Sequence, residues 1–96
     1  MSYINTLPIY KKVENVIIEK KNQSQIIISN PVKKKRKVLT DKIDIEIISP
    51  LISEDLLYVE IMMAKLHIHK NRIMSTLKKL VRKGFLVNCT EEHEFF

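Results

Sequence analysis

The chain has 96 residues, 45% of them apolar, one cysteine and a formal net charge of +6, and this length limits it to one domain with at most one extension. No apolar run approaches the roughly 20 residues of a membrane-spanning helix, which excludes a segment of that kind. The start lacks a basic leader before an apolar block, and a single cysteine forms no internal disulfide, so we expect an intracellular protein.

The basic residues are concentrated in two segments. Five consecutive ones occupy positions 33–37, and between Ile61 and Thr90 there are seven Lys or Arg and no acidic residue. Acidic residues lie between the two segments and at the end of the chain. Because segregated positive charge attracts a polyanion through counterion release, the pattern favours a nucleic-acid partner, with a solvated helix face as the alternative.

Residues 1–32 contain two clusters of β-branched residues, at 13–18 and 26–28, which favour strands. The polar stretch 20–24 between them would form the turn of a loose hairpin. The spacing of Ile9, Val13 and Val16 also fits one face of a helix, so both interpretations remain open. Because the segment is apolar, we expect it to pack against another surface, and a partner protein is one candidate.

The basic run at positions 33–37 cannot bury its charge, so we expect an extended, solvated linker unless a polyanion neutralises it. Nuclear import signals have the same composition. The sequence therefore predicts an N-terminal extension with a basic linker over residues 1–39, followed by a folded domain over residues 40–96.

That domain is expected to begin with a short helix. Thr40 can cap it, and Pro50 disfavours a helical conformation of the residue before it. Three isoleucines would share one face, namely Ile43, Ile47 and Ile48. Isoleucine at every second position from 43 to 47 is also typical of a strand, which remains the alternative.

A second helix is predicted to follow Ser53, which can cap it, since the two acidic residues after it would complement the helix dipole. Its apolar stripe comprises Leu57, Ile61, Ala64 and Ile68. The helix is expected to break at residues 67–70.

The third helix has the clearest pattern. Asn71 is expected to cap a helix from about Arg72 to Lys83, with a buried face formed by Ile73, Leu77, Leu80 and Val81. Gly84, the only glycine, lies where the helix must stop and can adopt a left-handed turn without steric cost. An apolar strand over 85–87, a turn over 90–93 and a returning strand over 94–96 should follow, with Phe95 or Phe96 covering the core.

These elements predict an α+β fold, a small winged helix-turn-helix with three helices, a short β-hairpin wing and an N-terminal extension. Lysine dominates the exposed side of the third helix and acts on phosphate as a point charge, so we expect recognition of backbone and shape. Arg72 could also pair with a guanine edge and Asn71 with adenine. The candidate nucleic-acid-binding residues are Lys33, Lys34, Lys35, Arg36, Lys37, Lys70, Asn71, Arg72, Ser75, Lys78, Lys79 and Arg82.

The tip of the predicted wing is acidic. Glu91, Glu92 and Glu94 would repel phosphates. We therefore expect the wing to face away from nucleic acid or to meet a basic protein surface.

Metal and enzyme chemistry are not expected. His67, His69, Cys89 and His93 are possible zinc ligands by type, but the first two occupy turn positions and no Cys-x-x-Cys pair accompanies them. A single glycine excludes a glycine-rich phosphate loop, and no serine motif of the nucleophile-elbow kind is present. The sequence predicts no catalytic residues and no cofactor.

The run KKKRK leads into Val38–Lys42 (VLTDK), Leu66-His67-Ile68 stands at the turn, and Leu77, Leu80, Lys83 and Gly84 follow in and after the third helix. In these residues and their intervals, positions 33–87 resemble the ribosomal protein S-twenty-five family of the eukaryotic small subunit. The chain departs from the family at residues 70–72, where the family has small residues, in its acidic ending, and in residues 1–32, which are not a lysine-rich arm.

The resemblance implies a structural ribosomal protein that binds ribosomal RNA through the basic arm and third helix, functions in translation and resides in the cytoplasm. Neighbouring proteins would contact residues 1–32 and the acidic C-terminus. One alternative is a winged-helix DNA-binding or transcription-associated protein in the nucleus. A second is a protein-interaction module, since residues 84–96 resemble the C-terminal winged domain of the middle replication protein A subunit.

Overall fold

The computed structural model of the protein describes residues 7–93. Within that range the fold is α+β, with three α-helices and two three-stranded antiparallel sheets. The strands are β1 (Ile9–Lys12), β2 (Ile17–Asn22), β3 (Gln25–Asn30), β4 (Lys35–Leu39), β5 (Leu56–Tyr58) and β6 (Leu86–Asn88). The helices are α1 (Lys42–Ile48), α2 (Val59–Leu66) and α3 (Lys70–Arg82), and two short 3-10 helices cover Ser49–Ile52 and Thr90–His93. No helix within residues 7–93 has the length and apolarity to span a membrane.

The predicted N-terminal hairpin is present as β2 and β3, which pair antiparallel. Its first strand lies later than the prediction over 13–18, because β2 begins at Ile17 and includes residues 20–22 of the predicted turn. The backbone N–H of Ser24 donates to Asn22 Oδ1 at 2.7 Å and stabilises the turn between them. Ile26 and Ile28 of β3 are completely buried, because alternate side chains of the strand face the core. The apolar side chains of this segment therefore pack against the rest of the same chain.

The basic run differs from a free linker. Lys33 and Lys34 lie in a turn, and the remaining three residues form β4, which pairs antiparallel with β3. Leu39 at the end of β4 is buried and anchors the strand, while the basic side chains stay at the surface. Only residues 35–37 of the run are extended, and β3 supplies for them a backbone partner that no local pattern reveals.

The other sheet has the order β5-β1-β6, so the N-terminal strand is its central strand. Tyr10 of β1 lies opposite Leu57 of β5 on one side and Asn88 of β6 on the other. The returning strand predicted over residues 94–96 and the covering role of Phe95 or Phe96 lie outside the described residues. In the described part, β1 pairs with the strand that follows α3.

One hydrophobic cluster joins the elements. It contains Tyr10, Ile18 and Ile28 from before position 40, and Ile47 and Leu77 from after it. The segment predicted as an N-terminal extension and the segment predicted as the domain thus share this cluster.

The first helix is confirmed, with two differences in detail. Its N-cap is Asp41, whose Oδ1 accepts hydrogen bonds from the N–H groups of Ile43 (2.9 Å) and Asp44 (3.3 Å), so Thr40 is not the cap. Ile45 is buried, whereas Ile43 is 38% exposed. A carboxylate at this position also complements the helix dipole, which explains the later start.

The predicted start of the second helix after Ser53 is wrong. Residues 56–58 form strand β5, and α2 begins only at Val59 with Tyr58 as its N-cap residue. The backbone groups of β1 pair with residues 56–58, and this tertiary pairing prevails over the local helix-start signal. As a consequence the buried residues of α2 are Val59 and Met62, while Ile61 is 50% exposed.

The third helix is confirmed, starting at Lys70. Its cap is His69, whose Nδ1 accepts a hydrogen bond from the N–H of Asn71 at 3.0 Å, so Asn71 itself is not the cap. The predicted inward face is correct for Ile73, Leu77 and Leu80, and Val81 is partly buried. Gly84 has φ = +86°, the left-handed conformation that the sequence predicts.

Burial raises the pKa of Tyr10 above its ordinary value of 10.0. Unfolding above about pH 10 would therefore release a proton, since the exposed phenol ionises there and the buried one resists ionisation. We expect this group to leave the free energy of unfolding unchanged below that pH and to lower it as the pH rises further. Urea unfolding at pH 9 and pH 11 should show a smaller alkaline loss for Tyr10→Phe than for the wild type. An equal loss in both proteins would contradict the assignment.

Candidate nucleic-acid interface

The candidate binding residues lie on three elements. Lys33 and Lys34 occupy the turn before β4, Lys35–Lys37 lie on β4, and the remaining candidates lie on α3. The structure joins β4 to the C-terminal half of α3, but the N-terminal half of α3 has different surroundings.

The contact between β4 and α3 is made by Lys35. Its Nζ donates a hydrogen bond to the backbone carbonyl of Lys83 at 3.2 Å, although 48 residues separate the two in sequence. A cation at the C-terminal carbonyls of a helix is favoured by the helix dipole. Lys35, Arg36 and Lys83 line a pocket of about 350 Å³ together with Phe85, which is buried.

A second pocket, of about 150 Å³, continues along the same junction. Lys37 lines it from β4 and Lys79 from α3, and Asp41, Asp44 and Thr76 are also part of its lining. The strand register explains the placement, since Lys37 lies opposite the buried Ile28 and so points to the face on which α3 packs.

We call the five cations that line these pockets the basic seam. They are Lys35, Arg36, Lys37, Lys79 and Lys83. The sequence-based list of site residues missed Lys83. Its position before Gly84 was visible, but the proximity of the helix end to β4 was not.

The outward side of α3 extends the basic seam. Ser75, Lys78 and Arg82 are exposed and lie at the three-and-four spacing of one helix face, which we call the outer ridge. In the part of the chain that the structure describes, neither Lys78 nor Arg82 forms an ion pair. Their charges are therefore available to a ligand.

The cations repeat at similar intervals on both elements. Four residues along α3, as between Lys79 and Lys83, correspond to about 6 Å. Two residues along β4, as between Lys35 and Lys37, correspond to about 6.6 Å. Successive phosphates on one nucleic-acid strand are spaced comparably. The seam and the ridge can thus each follow a row of phosphates.

Arg72, which the sequence analysis also assigned to guanine recognition, is held by two carboxylates. Its Nη1 lies 2.9 Å from Asp44 Oδ1, and its Nη2 lies 3.2 Å from Asp41 Oδ1. The buried Thr76 completes the cluster, because its hydroxyl donates to Asp44 Oδ1 at 2.6 Å and accepts from Arg72 Nη1. The Arg72 side chain is 34% exposed, and both of its terminal nitrogens contact protein acceptors.

The first residues of α3 lie beside a different cleft. Lys70 and Asn71 are exposed and line an open cleft of about 850 Å³, together with Leu7, Pro8, Met63, His69 and Met74. Neither residue lines the two pockets of the basic seam. The candidate residues therefore divide into a cationic group at β4 and the C-terminal half of α3, and Lys70 and Asn71 beside a separate, partly apolar cleft at the start of α3.

The region after β6 is ordered by local hydrogen bonds. Asn88 Oδ1 accepts from the backbone N–H of Thr90 at 2.9 Å, and Glu91 is exposed in the 3-10 helix that follows. Over residues 7–93 no three His, Cys, Asp or Glu side chains are grouped so that they could hold a metal ion.

Comparison with known proteins does not assign a family. No family model and no curated protein matches the sequence, and no solved structure matches the fold.

Proposed function

We propose that the protein binds RNA through phosphate contacts of the basic seam and the outer ridge. The observation that carries this proposal is the hydrogen bond from Lys35 Nζ to the carbonyl of Lys83 at 3.2 Å. It brings the basic run and the basic end of α3, two segments far apart in sequence, into one cationic surface. A polyanion bound there would release condensed counterions, which favours binding.

The composition of this surface supports recognition of backbone over bases. Five of the seven cations in the seam and ridge are lysines, which act on phosphate as point charges, and only Arg36 and Arg82 carry the planar guanidinium that can read a guanine edge. The aromatic ring at the junction, Phe85, is buried and offers no stacking platform for unpaired bases. These features favour a folded, double-helical region of RNA over an extended single strand.

We further propose that the fold is a winged helix in which β1 replaces the second strand of the wing. The supporting observations are the chain order β5, α2, α3, β6 and the three-residue connection 67–69 between α2 and α3. A connection of three or four residues is typical of helix-turn-helix units. In such a unit α3 would be the recognition helix, and here its exposed side carries Lys78 and Arg82.

The resemblance of residues 33–87 to the small-subunit ribosomal family supports a more particular role. We propose a structural protein of the small ribosomal subunit in the cytoplasm, with ribosomal RNA as the ligand of the seam. The DNA-binding alternative, in the nucleus, is favoured by the same short helix connection, because helix-turn-helix units commonly place their second helix in the major groove.

Fluorescence anisotropy with labelled duplexes tests the proposal. The full chain is titrated with one RNA stem-loop, a second of unrelated sequence and a DNA duplex matching the first, each at several salt concentrations. We expect tight binding to both RNAs with similar affinity, and a slope of log K against log salt of about −4.5 to −6.3 if five to seven cations contact phosphates. No RNA binding at low salt would refute the proposal, and tighter binding to DNA would favour the alternative.

Sedimentation tests the ribosomal role separately. In a sucrose gradient of cell lysate the protein should comigrate with small subunits and return to the top fractions in high salt. Migration at the top of the gradient under all conditions would exclude the ribosomal role. It would not affect the proposal of RNA binding, which the fluorescence titration tests independently.

A further inference from the structure

Within residues 7–93, Arg72 is the cation of α3 that forms ion pairs with acidic side chains. Asp41 and Asp44 both come from the start of α1, about thirty residues earlier in the chain. Together with the arginine they form a cluster of net charge −1, counting one positive and two negative groups. Its two carboxylates line the same pocket as Lys37 and Lys79, so the cluster adjoins the basic seam.

We propose that Asp41 and Asp44 mark the end of the phosphate-binding surface by withholding Arg72 from the ligand. This inference rests on the proposed function, since it assigns the limit of the same binding surface. A phosphate row that follows the seam past Lys79 would next meet two carboxylates, and their repulsion stops it there. The RNA contacts are thereby confined to β4 and the C-terminal half of α3.

The carboxylates are held in place by bonds other than the ion pair. Asp41 Oδ1 accepts the N–H groups of Ile43 and Asp44 as the N-cap of α1, so it cannot turn away without uncapping the helix. Asp44 accepts the hydroxyl of the buried Thr76 at 2.6 Å. A phosphate competing for Arg72 must therefore displace acceptors that are fixed by the fold.

Neutralising both acids tests the inference. Asp41→Asn retains a good N-cap, and Asp44→Asn retains an oxygen that can accept from Thr76. The double variant frees Arg72 for a phosphate, so the magnitude of the salt slope of RNA binding should rise by about 0.9, and the affinity in 0.1 M salt by about five- to tenfold. Adding Arg72→Gln to the double variant should restore the wild-type slope.

The matched control is Glu54→Gln with Asp55→Asn. It changes the net charge by the same amount at two exposed positions outside the seam, and it frees no arginine. We expect the control to leave the slope unchanged. If the control and the double variant showed equal increases in salt slope and affinity, the increase would be due to net charge alone, and the inference would be overturned.

A purely structural role of the acids gives a different result. The Asp41→Asn/Asp44→Asn variant would then unfold more easily but bind RNA with the wild-type slope, and this too would overturn the inference. If the double variant does not fold, the single variant Asp44→Asn replaces it, because it breaks the shorter ion pair of Arg72 and keeps Asp41 as the cap of α1. This variant must still increase the magnitude of the salt slope. Absence of RNA binding by the wild type would instead refute the proposed function itself.

Discussion

Replacing Lys78, Lys79 and Arg82 together by glutamate is expected to abolish RNA binding while the fold is retained. The change converts three exposed positive charges into three negative ones on the side of α3 that carries the outer ridge and part of the basic seam. Losing three phosphate contacts lowers the affinity in 0.1 M salt by about 10²- to 10³-fold, and the new repulsion lowers it further. Fluorescence anisotropy with the RNA stem-loop measures the loss, and circular dichroism checks the fold.

A charge-matched variant tests whether RNA affinity depends on where the positive charges lie or only on the net charge of the protein. Lys20, Lys21 and Lys65 are also exposed lysines, and none of them belongs to β4 or α3. Their replacement by glutamate makes the same change in net charge, but we expect it to weaken binding by less than about tenfold, because exposed charges distant from the contact are screened by salt. Equal losses in the two variants would show that binding follows net charge and not the seam and ridge.

The elements predicted correctly from the sequence are those specified by neighbouring residues. The buried face of α3 follows from apolar residues at three-and-four spacing, and Gly84 from the need for a left-handed residue at the helix end. The hairpin of β2 and β3 follows from two β-branched clusters around a polar turn. In each case the determining signal lies within about a dozen residues.

The misplaced start of α2 had a non-local cause. Ser53 and the two acids after it make a good local start signal, yet residues 56–58 form a strand because β1, more than forty residues earlier, supplies their hydrogen-bonding partners. The central position of β1 in that sheet depends on the same pairing. Patterns read within a short window contain no information about such a partner.

In the candidate site, too, some features follow from neighbouring residues and others from contacts between distant parts of the chain. The cations could be identified from the sequence as two clusters, but their union depends on Lys35 reaching the carbonyl of Lys83. Likewise Arg72 was correctly placed on α3, whereas its neutralisation by Asp41 and Asp44 requires α1 to pack beside it. Residue types predict a polyanionic ligand, and only the tertiary contacts distinguish cations without an ion pair from paired ones.

The substitution Tyr10→Ala in the N-terminal strand β1 is expected to cause a large loss in the free energy of unfolding. The side chain of Tyr10 is 2% exposed in the hydrophobic cluster, at the centre of the sheet β5-β1-β6. Truncating a buried aromatic residue to alanine costs about 3–5 kcal/mol through lost burial and the cavity left behind. Since small domains have a total stability of about 5–15 kcal/mol, this is a large share. Urea unfolding followed by circular dichroism should show a much lower midpoint with little change in slope.

Tyr58→Ala is the matched control, because it makes the same chemical change in the neighbouring strand of the same sheet. Tyr58 is 39% exposed and lies opposite Ile9 in the register of β1 and β5. With less surface buried and no enclosed cavity created, its truncation should cost about 1 kcal/mol. A loss for Tyr10→Ala no greater than that for Tyr58→Ala would contradict the central position of β1. The expected difference would show that residues 9–12 stabilise the same fold that presents α3 and the basic seam.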